Sequence, residues 1–337
     1  MSFLVSVLCL TLCVSNWHLA FAQSAKKEIT LLEGITSADF GYVASYIARA
    51  KGFLANEGVD LKMVVMRANV SVAALVSGEV QLTVHGSAMT AAIRGAPLKA
   101  VFFTYNTSTL QFVVRPEIKR PEDLRGKVIA ISSPGGSQDQ ASRLMLKKLG
   151  LDPDRDVKLL AIGDSKARVI GMDMGQIAAS ANNLDITAEL VRKGYRVIAN
   201  SAAVYPVPFS GMAVHDQFLK KNPDLVKKWL RAHVRALLLM RQSPEEAAQI
   251  AAKELKLDRE VAREATKQAL SFMSPEDPGG CTEQSVRIQI QYSSDRLGID
   301  PEKVKTADVA DFTLLREVQR ELGIHCRTGY QCQQGGR

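Results

Sequence analysis

Short apolar runs alternate with stretches whose apolar residues fall at helical spacing, and the alternation starts near residue 29. Residues 29–33 read as a strand. Residues 40–51 place Phe40, Val43, Ala44, Ile47 and Ala48 on one helical face, and Gly52 follows as a stop. Residues 59–66 alternate as a strand, 70–77 form a helix closed by Gly78, and 80–84 form a strand. His85-Gly86-Ser87 then leads into a helix ending at Gly95. The same grammar returns further on: strand 127–131, a Ser- and Gly-rich turn over 132–137, a helix stopped by Gly150, strand 157–161, and a helix stopped by Gly175. Strands and helices in strict alternation predict an α/β layered fold. From 218 to 322 the pattern is helical, with Pro223 and Pro244 at helix starts and further helices over 259–273 and 283–297. This helical part is expected to pack back on the first lobe, and the chain from Gly323 onward is irregular.

An internal echo predicts that the two α/β stretches are similar lobes. Ala74-Leu75-Val76-Ser77-Gly78-Glu79-Val80 lies over Gly171-Met172-Asp173-Met174-Gly175-Gln176-Ile177, and Ala91-Ala92-Ile93-Arg94-Gly95 over Leu190-Val191-Arg192-Lys193-Gly194. In that register His85 and Asn182 occupy equivalent strand ends.

At 337 residues the chain is long enough for about two domains, and with 46% hydrophobic and 23% charged residues its balance is globular. The formal charge of +8 is dispersed, without long Lys/Arg runs or an aromatic-interleaved basic stripe, so no nucleic-acid partner is expected. An apolar run over 3–14 followed by Ala20-Phe21-Ala22 reads as a signal peptide, residues 1–22, cleaved before Gln23, although no basic residue precedes it. The run is too short to span a bilayer. Of the five cysteines, Cys9 and Cys13 lie in that segment; Cys326 and Cys332 flank a loop that can close into a disulfide, which leaves Cys281 free. With no CxxC pair and no His/Cys ligand spacing, neither a metal nor a cofactor is expected.

Several stretches together resemble the nitrate/sulfonate/taurine type of ABC-transporter solute-binding proteins, a group related to thiamine-precursor binding proteins. They are Tyr46-Ile47-Ala48-Arg49-Ala50-Lys51-Gly52-Phe53-Leu54, Glu57-Gly58-Val59-Asp60, Leu75-Val76-Ser77-Gly78-Glu79-Val80 and Gly95-Ala96-Pro97-Leu98-Lys99. Val114-Arg115-Pro116-Glu117-Ile118, Pro121-Glu122-Asp123-Leu124-Arg125-Gly126-Lys127 and Pro244-Glu245-Glu246-Ala247-Ala248 complete the set. The resemblance implies a two-lobed, periplasmic-binding-protein-like (type II) α/β fold with a ligand crevice between lobes. It also implies a periplasmic protein that closes about a hinge on a small-molecule ligand and delivers it, as a monomer, to an ABC-transporter permease in the membrane. Residues 27–113 plus 210–325 are expected to form lobe 1, 114–209 lobe 2, and 326–337 an irregular tail. Where the family carries an Asp after the strand-opening valine of each lobe, this chain has Gln81 and Ala178.

Loops that leave a strand and open a helix present free N–H groups and a positive helix end, which suits polar and anionic ligands. On that basis the candidate ligand-binding residues are Thr36, Ser37, His85, Ser87, Ser133, Gly136, Ser137, Arg168, Asn182 and Phe209. For each serine a helix-capping role competes, and for His85 a structural one. Arg168, at a helix start, is expected to hold an anionic or strongly polar acceptor group, with a surface or helix-capping role as its alternative. The Pro206-Val207-Pro208 run suits a crossover between lobes. No catalytic residue is expected. The competing class is an enzyme on the same scaffold, with thiamine-precursor or desulfinase-like chemistry at Cys281, yet no histidine lies near that cysteine in sequence to serve as its base.

Overall fold

The computed structural model describes residues 28–332. The proposed signal segment lies outside the described residues. The chain first builds β1 (Ile29–Ile35), a 3-10 turn (Phe40–Tyr42), α1 (Val43–Ala50), α2 (Phe53–Asn56), β2 (Val59–Val65), α3 (Ala68–Ser77), β3 (Leu82–Val84), α4 (His85–Ile93) and β4 (Leu98–Tyr105). It crosses to β5 (Gln111–Val114), β6 (Val128–Ile131), α5 (Ser137–Lys148), β7 (Lys158–Ala161), α6 (Ser165–Asp173), β8 (Ala179–Asn182), α7 (Leu184–Arg192) and β9 (Arg196–Asn200). It then returns through β10 (Phe209–His215) to a helical region. That region comprises α8 (Asp216–Lys221), α9 (Pro223–Gln242), α10 (Pro244–Leu255), α11 (Arg259–Leu270), α12 (Glu283–Leu297), α13 (Thr306–Val309) and α14 (Thr313–Glu321).

Two five-stranded sheets result, ordered β2-β1-β3-β10-β4 and β7-β6-β8-β5-β9. The two orders are the same topology. In each, the parallel strands are followed by helices, and one antiparallel strand, β10 or β5, arrives from the other lobe. The sequence echo is physical: Gly78 and Gly175 end α3 and α6 with φ of 85° and 78°, values a side chain disfavours, and equivalent strands follow both.

The lobe boundaries differ from those expected. β5 pairs with β8 and β9, so Gln111–Val114 belongs wholly to the second sheet and the first crossing falls at residues 106–110, before Val113. Phe209 begins β10 and pairs with Tyr105 in the first sheet, so the second crossing ends before it. Ser108 and Ser201, both fully buried, share a 2.7 Å hydrogen bond, and Ser201 N–H donates to Leu110 O at 2.8 Å. The two crossings are thereby tied side by side.

α1 buries Val43, Ala44, Ile47 and Ala48 against α9 and α10, and α14 packs on α9, so much of the helical region covers the first lobe. α11 departs from that expectation by packing against α7 of the second lobe, where Gln111 Nε2 donates to Gln268 Oε1 at 3.2 Å. α12 also reaches the second lobe: Arg296 pairs with the fully buried Asp139 at 2.6 Å, and Gln140 Nε2 donates to Ser293 Oγ at 3.1 Å.

Cys326 and Cys332 are joined in a disulfide, and Cys281 is free and buried. Tyr330 N–H donates to Cys281 O at 2.7 Å, while Tyr330 O accepts from the buried Arg316, which also pairs with Asp277. Burial and the charge of Asp277 push the Cys281 thiol up, so it stays protonated and unreactive. A thiol-directed maleimide is therefore expected to label Cys281 only after unfolding, at a rate that added solute does not change. Labelling of the folded protein that solute blocks would place this thiol in the binding site.

Candidate functional site

The cleft between the lobes is built where the sequence places its strand-to-helix turns. β1, β3, β6, β7 and β8 each end at its floor, and each is followed by a helical segment that starts there. This is the position at which open α/β sheets bind ligands. Its inner compartment has a cavity volume of about 90 Å³. At roughly 10–15 Å³ per water position, that is room for about six to nine water-sized groups.

Thr36, Ser37, His85, Ser87, Ser133, Gly136, Ser137, Arg168 and Phe209 all line this compartment. Asn182 does not. It ends β8 with its side chain turned into the lobe, where Nδ2 donates to Ser180 O at 2.9 Å, and its neighbour Asn183 faces the cleft instead. Alternation along a strand sends successive side chains to opposite faces, so an error of one residue inverts the assignment. Gln81 and Ala178 are not among the lining residues. Gln81 accepts from Leu32 N–H at 2.9 Å and donates to Gly78 O at 3.2 Å, which is a structural tie.

Arg168 does not stand in the cleft as a free cation. It is buried, Nη1 donates to Ile162 O and Gly163 O at 2.9 and 2.8 Å, and it faces the buried carboxylate of Asp39 from the other lobe. Asp39 in turn caps the turn that precedes α1. Its Oδ1 accepts from Gly41 N–H at 3.0 Å and from Asn183 Nδ2 at 2.8 Å, and its Oδ2 accepts from Ser37 Oγ. A second buried acid, Asp185 of α7, reaches across the lobes to accept from Phe40 N–H at 3.1 Å. Burial, and then the charge of Asp39, push Asp185 up to about 8; burial raises Asp39 too, against the pull of Ser37 and Arg168.

His85 is also committed. Nδ1 lies 3.0 Å from Gly211 N and 3.2 Å from Gly211 O, and Nε2 lies 3.3 Å from Ser137 Oγ in the other lobe. Burial lowers its pKa to about 4, so it is neutral, and Phe103 and Phe209 pack edge-on against the ring. β10 presses closely here: a Cβ on Gly211 would collide with Phe103 and the carbonyl of Phe102, and Ser210 beside it adopts a left-handed φ of 54°.

The remaining polar groups are not committed. Ser133 Oγ, Gln138 Oε1, Asn183 Oδ1 and Arg168 Nε are buried atoms of cleft-lining residues with no hydrogen-bond partner in the protein. Because Asn183 Nδ2 is fixed on Asp39 and Gln138 Nε2 on Ala181 O, their amide oxygens are the free ends. Buried polar atoms are rarely left unpaired, and each left so costs about 1–3 kcal/mol. The set comprises one donor, two acceptors and one hydroxyl, so it matches a group that both accepts and donates. A bare oxyanion would leave the two amide oxygens unpaired. The N-termini of α4 and α5, marked by Ser87 and Ser137, add N–H donors on either side.

The lobes meet in a closed arrangement. A Cβ on Gly86 of α4 would collide with Ser137 Oγ and stand only 3.0 Å from Ser137 N and 3.1 Å from Ser137 Cβ. Sequence reasoning missed Asp39, Asn183, Asp185 and Gln138. Asp39 carried a signal, an N-cap type directly before the helical run; Asn183 and Asp185 are brought in by pairing across lobes, and Gln138 is fixed by Ala181 O within the second lobe.

The family model described as NMT1/THI5 like matches residues 40–247. The riboflavin-binding protein RibY of Chloroflexus aurantiacus is 26% identical over 263 residues, covering 72% of this chain and 73% of RibY. A Bordetella bronchiseptica protein of known structure superposes with a TM-score of 0.77 at 20% identity, over 88% of this chain and 99% of its own. The periplasmic nitrate-binding protein NrtA from Synechocystis superposes with a TM-score of 0.72 at 16% identity, over 88% and 89%. The desulfurization enzyme DSZB shares the fold as well, with a TM-score of 0.60 at 15% identity over 87% and 99%. The architecture is that of the two-lobed periplasmic binding proteins.

Proposed function

The chain belongs to the NMT1/THI5-like family, and on that premise we propose that it is the extracytoplasmic solute-binding component of an ABC importer. It binds one small polar solute between its lobes, as a monomer, and presents it to a membrane permease. The observation that carries this reading is the set of four unpartnered buried polar atoms, Ser133 Oγ, Gln138 Oε1, Asn183 Oδ1 and Arg168 Nε, on residues from the second lobe that line one cleft closed by the first. RibY and NrtA are named for binding different molecules, so the solute of this chain is inferred from its own residues. Those residues favour a group with both donors and acceptors in the inner compartment, where the sequence suggested an anionic or strongly polar acceptor group on Arg168 and the helix N-termini.

Among the described residues no helix is long and apolar enough to cross a membrane, and export through the segment ending at Ala22 completes the reading. The fold shared with DSZB keeps an enzymatic alternative in view, but among the described residues no cysteine lines the inner compartment, and Cys281 lies under the segment around Tyr330. Native mass spectrometry of protein secreted without added solute tests the proposal. The expected spectrum shows a chain beginning at Gln23 with one small molecule bound, and that molecule is recovered unchanged after incubation. A chain retaining residues 1–22, a bare protein that no candidate solute shifts, or a chemically altered product would each count against it.

A further inference from the structure

A second, larger compartment opens off the first. Its volume is about 490 Å³, and it shares Ser87, Ser132 and Ser133 with the inner one. Arg67, which precedes α3, and Arg94, which follows α4, both line it, and both are exposed. Neither forms an ion pair among the described residues, and no carboxylate lines the compartment.

Arg67 also spans the mouth. Its Cγ lies 3.7 Å from the position a Cβ would take on Gly163, in the loop that carries Arg168's carbonyl partners on the opposite lobe. Ser133, 7% exposed with an unpartnered Oγ, stands where the two compartments join. The inner compartment balances Arg168 with Asp39, whereas the outer one carries two cations without a counter-charge. Positive charge at a pocket mouth with low-dielectric walls draws in and retains an anion.

We infer that the outer compartment is a subsite for an oxyanion group of the solute, a carboxylate, sulfonate or phosphate, held between Arg67 and Arg94. The solute is then bipartite, with a neutral donor-and-acceptor end in the inner compartment and an acidic end at the mouth. This deepens the solute-binding proposal and rests on it. A molecule that fills both compartments also explains why a 90 Å³ inner space is joined to a far larger outer one.

Inorganic phosphate serves as the probe, titrated calorimetrically into the wild type, an Arg67→Gln/Arg94→Gln double variant, and Arg259→Gln as a control at an exposed helix start. Wild type and control should bind phosphate, more weakly as chloride is added, because charges at an open mouth are screened. The double variant should bind it at least about tenfold more weakly. Both arginines are exposed, so unchanged melting of the double variant is expected and separates lost binding from lost folding. Equal phosphate binding by the double variant, or none by the wild type, would overturn the subsite. Neither result touches the solute-binding reading, which stands or falls on the molecule found by mass spectrometry. An acidic co-purified solute that the double variant binds at least about tenfold more weakly would support the inference, and a co-purified solute without an acidic group would overturn it.

Discussion

Replacing Gly86 with valine is expected to lower solute affinity by at least about a hundredfold while the free protein folds as before. Gly86 sits in the first turn of α4 with ordinary helical backbone, so nothing in its own conformation requires glycine. What requires it is the other lobe: Ser137 N and Cβ stand 3.0 and 3.1 Å from where a Cβ would be, and Ser137 Oγ is closer still. The hydroxyl can rotate away, at the cost of its contact with His85, but the backbone nitrogen at the start of α5 cannot. Alanine should therefore weaken binding by about tenfold and valine by more, since its two methyls hold the lobes apart. In the free, opened protein Ser137 is withdrawn from Gly86, and Gly→Ala within a helix contributes about 0.5–1 kcal/mol of stability. Titration calorimetry beside thermal melting separates the two effects. A valine variant that binds as tightly as wild type would mean that α4 and α5 do not approach each other in the bound state.

Solute affinity is expected to fall as pH rises toward about 8, and Asp185→Asn should flatten that dependence. In the closed arrangement Asp185 is buried against Phe40 N–H, with Asp39, Arg168, Tyr42 and Tyr105 as the other polar groups around the pair. Burial and the neighbouring charge of Asp39 raise Asp185 there, so closure retains a proton that an opened, solvated Asp185 would release. The sign follows: a pKa raised to about 8 in the closed form, from the ordinary carboxylate range in the open form, favours closure fully below that range and progressively less up to pH 8. Between pH 6 and 8 the affinity should drop by roughly tenfold or more, each pKa unit of difference being about 1.4 kcal/mol. The side-chain amide introduced by Asp185→Asn would still accept from Phe40 N–H without a charge to bury, so the variant should bind more tightly than wild type at pH 8. Equal slopes in both proteins would show that Asp185 does not titrate with closure.

The parts of this structure that are legible in the sequence are those set by local chemistry. Gly78 and Gly175 mark helix ends because a left-handed residue is needed there, and α9 and α12 begin and end where Pro223 and the apolar periodicity place them. Ser87, Ser133 and Ser137 can be picked out because they follow strands and start helices, a local pattern that also fixes where they point. What escapes is what depends on partners distant in sequence. Nothing near Arg168 announces that Asp39 comes to face it, and so the residue reads as a free cation. Residues 111–113 fall to the first lobe on sequence alone because the pairing of β5 with β8 joins positions some seventy residues apart. α11 likewise reads as a tail helix of the first lobe, and only its docking on α7 shows that it touches both.

The central claim is that the two lobes close on a solute, and small-angle X-ray scattering tests it most directly. The co-purified molecule is removed by unfolding and refolding, then returned at saturating concentration to the wild type and to Gly86→Val. The wild type should become more compact, with a smaller radius of gyration and a shorter maximum dimension, while the valine variant keeps the dimensions of the free protein. Identical wild-type profiles with and without the molecule, at a concentration where calorimetry reports full binding, would contradict closure.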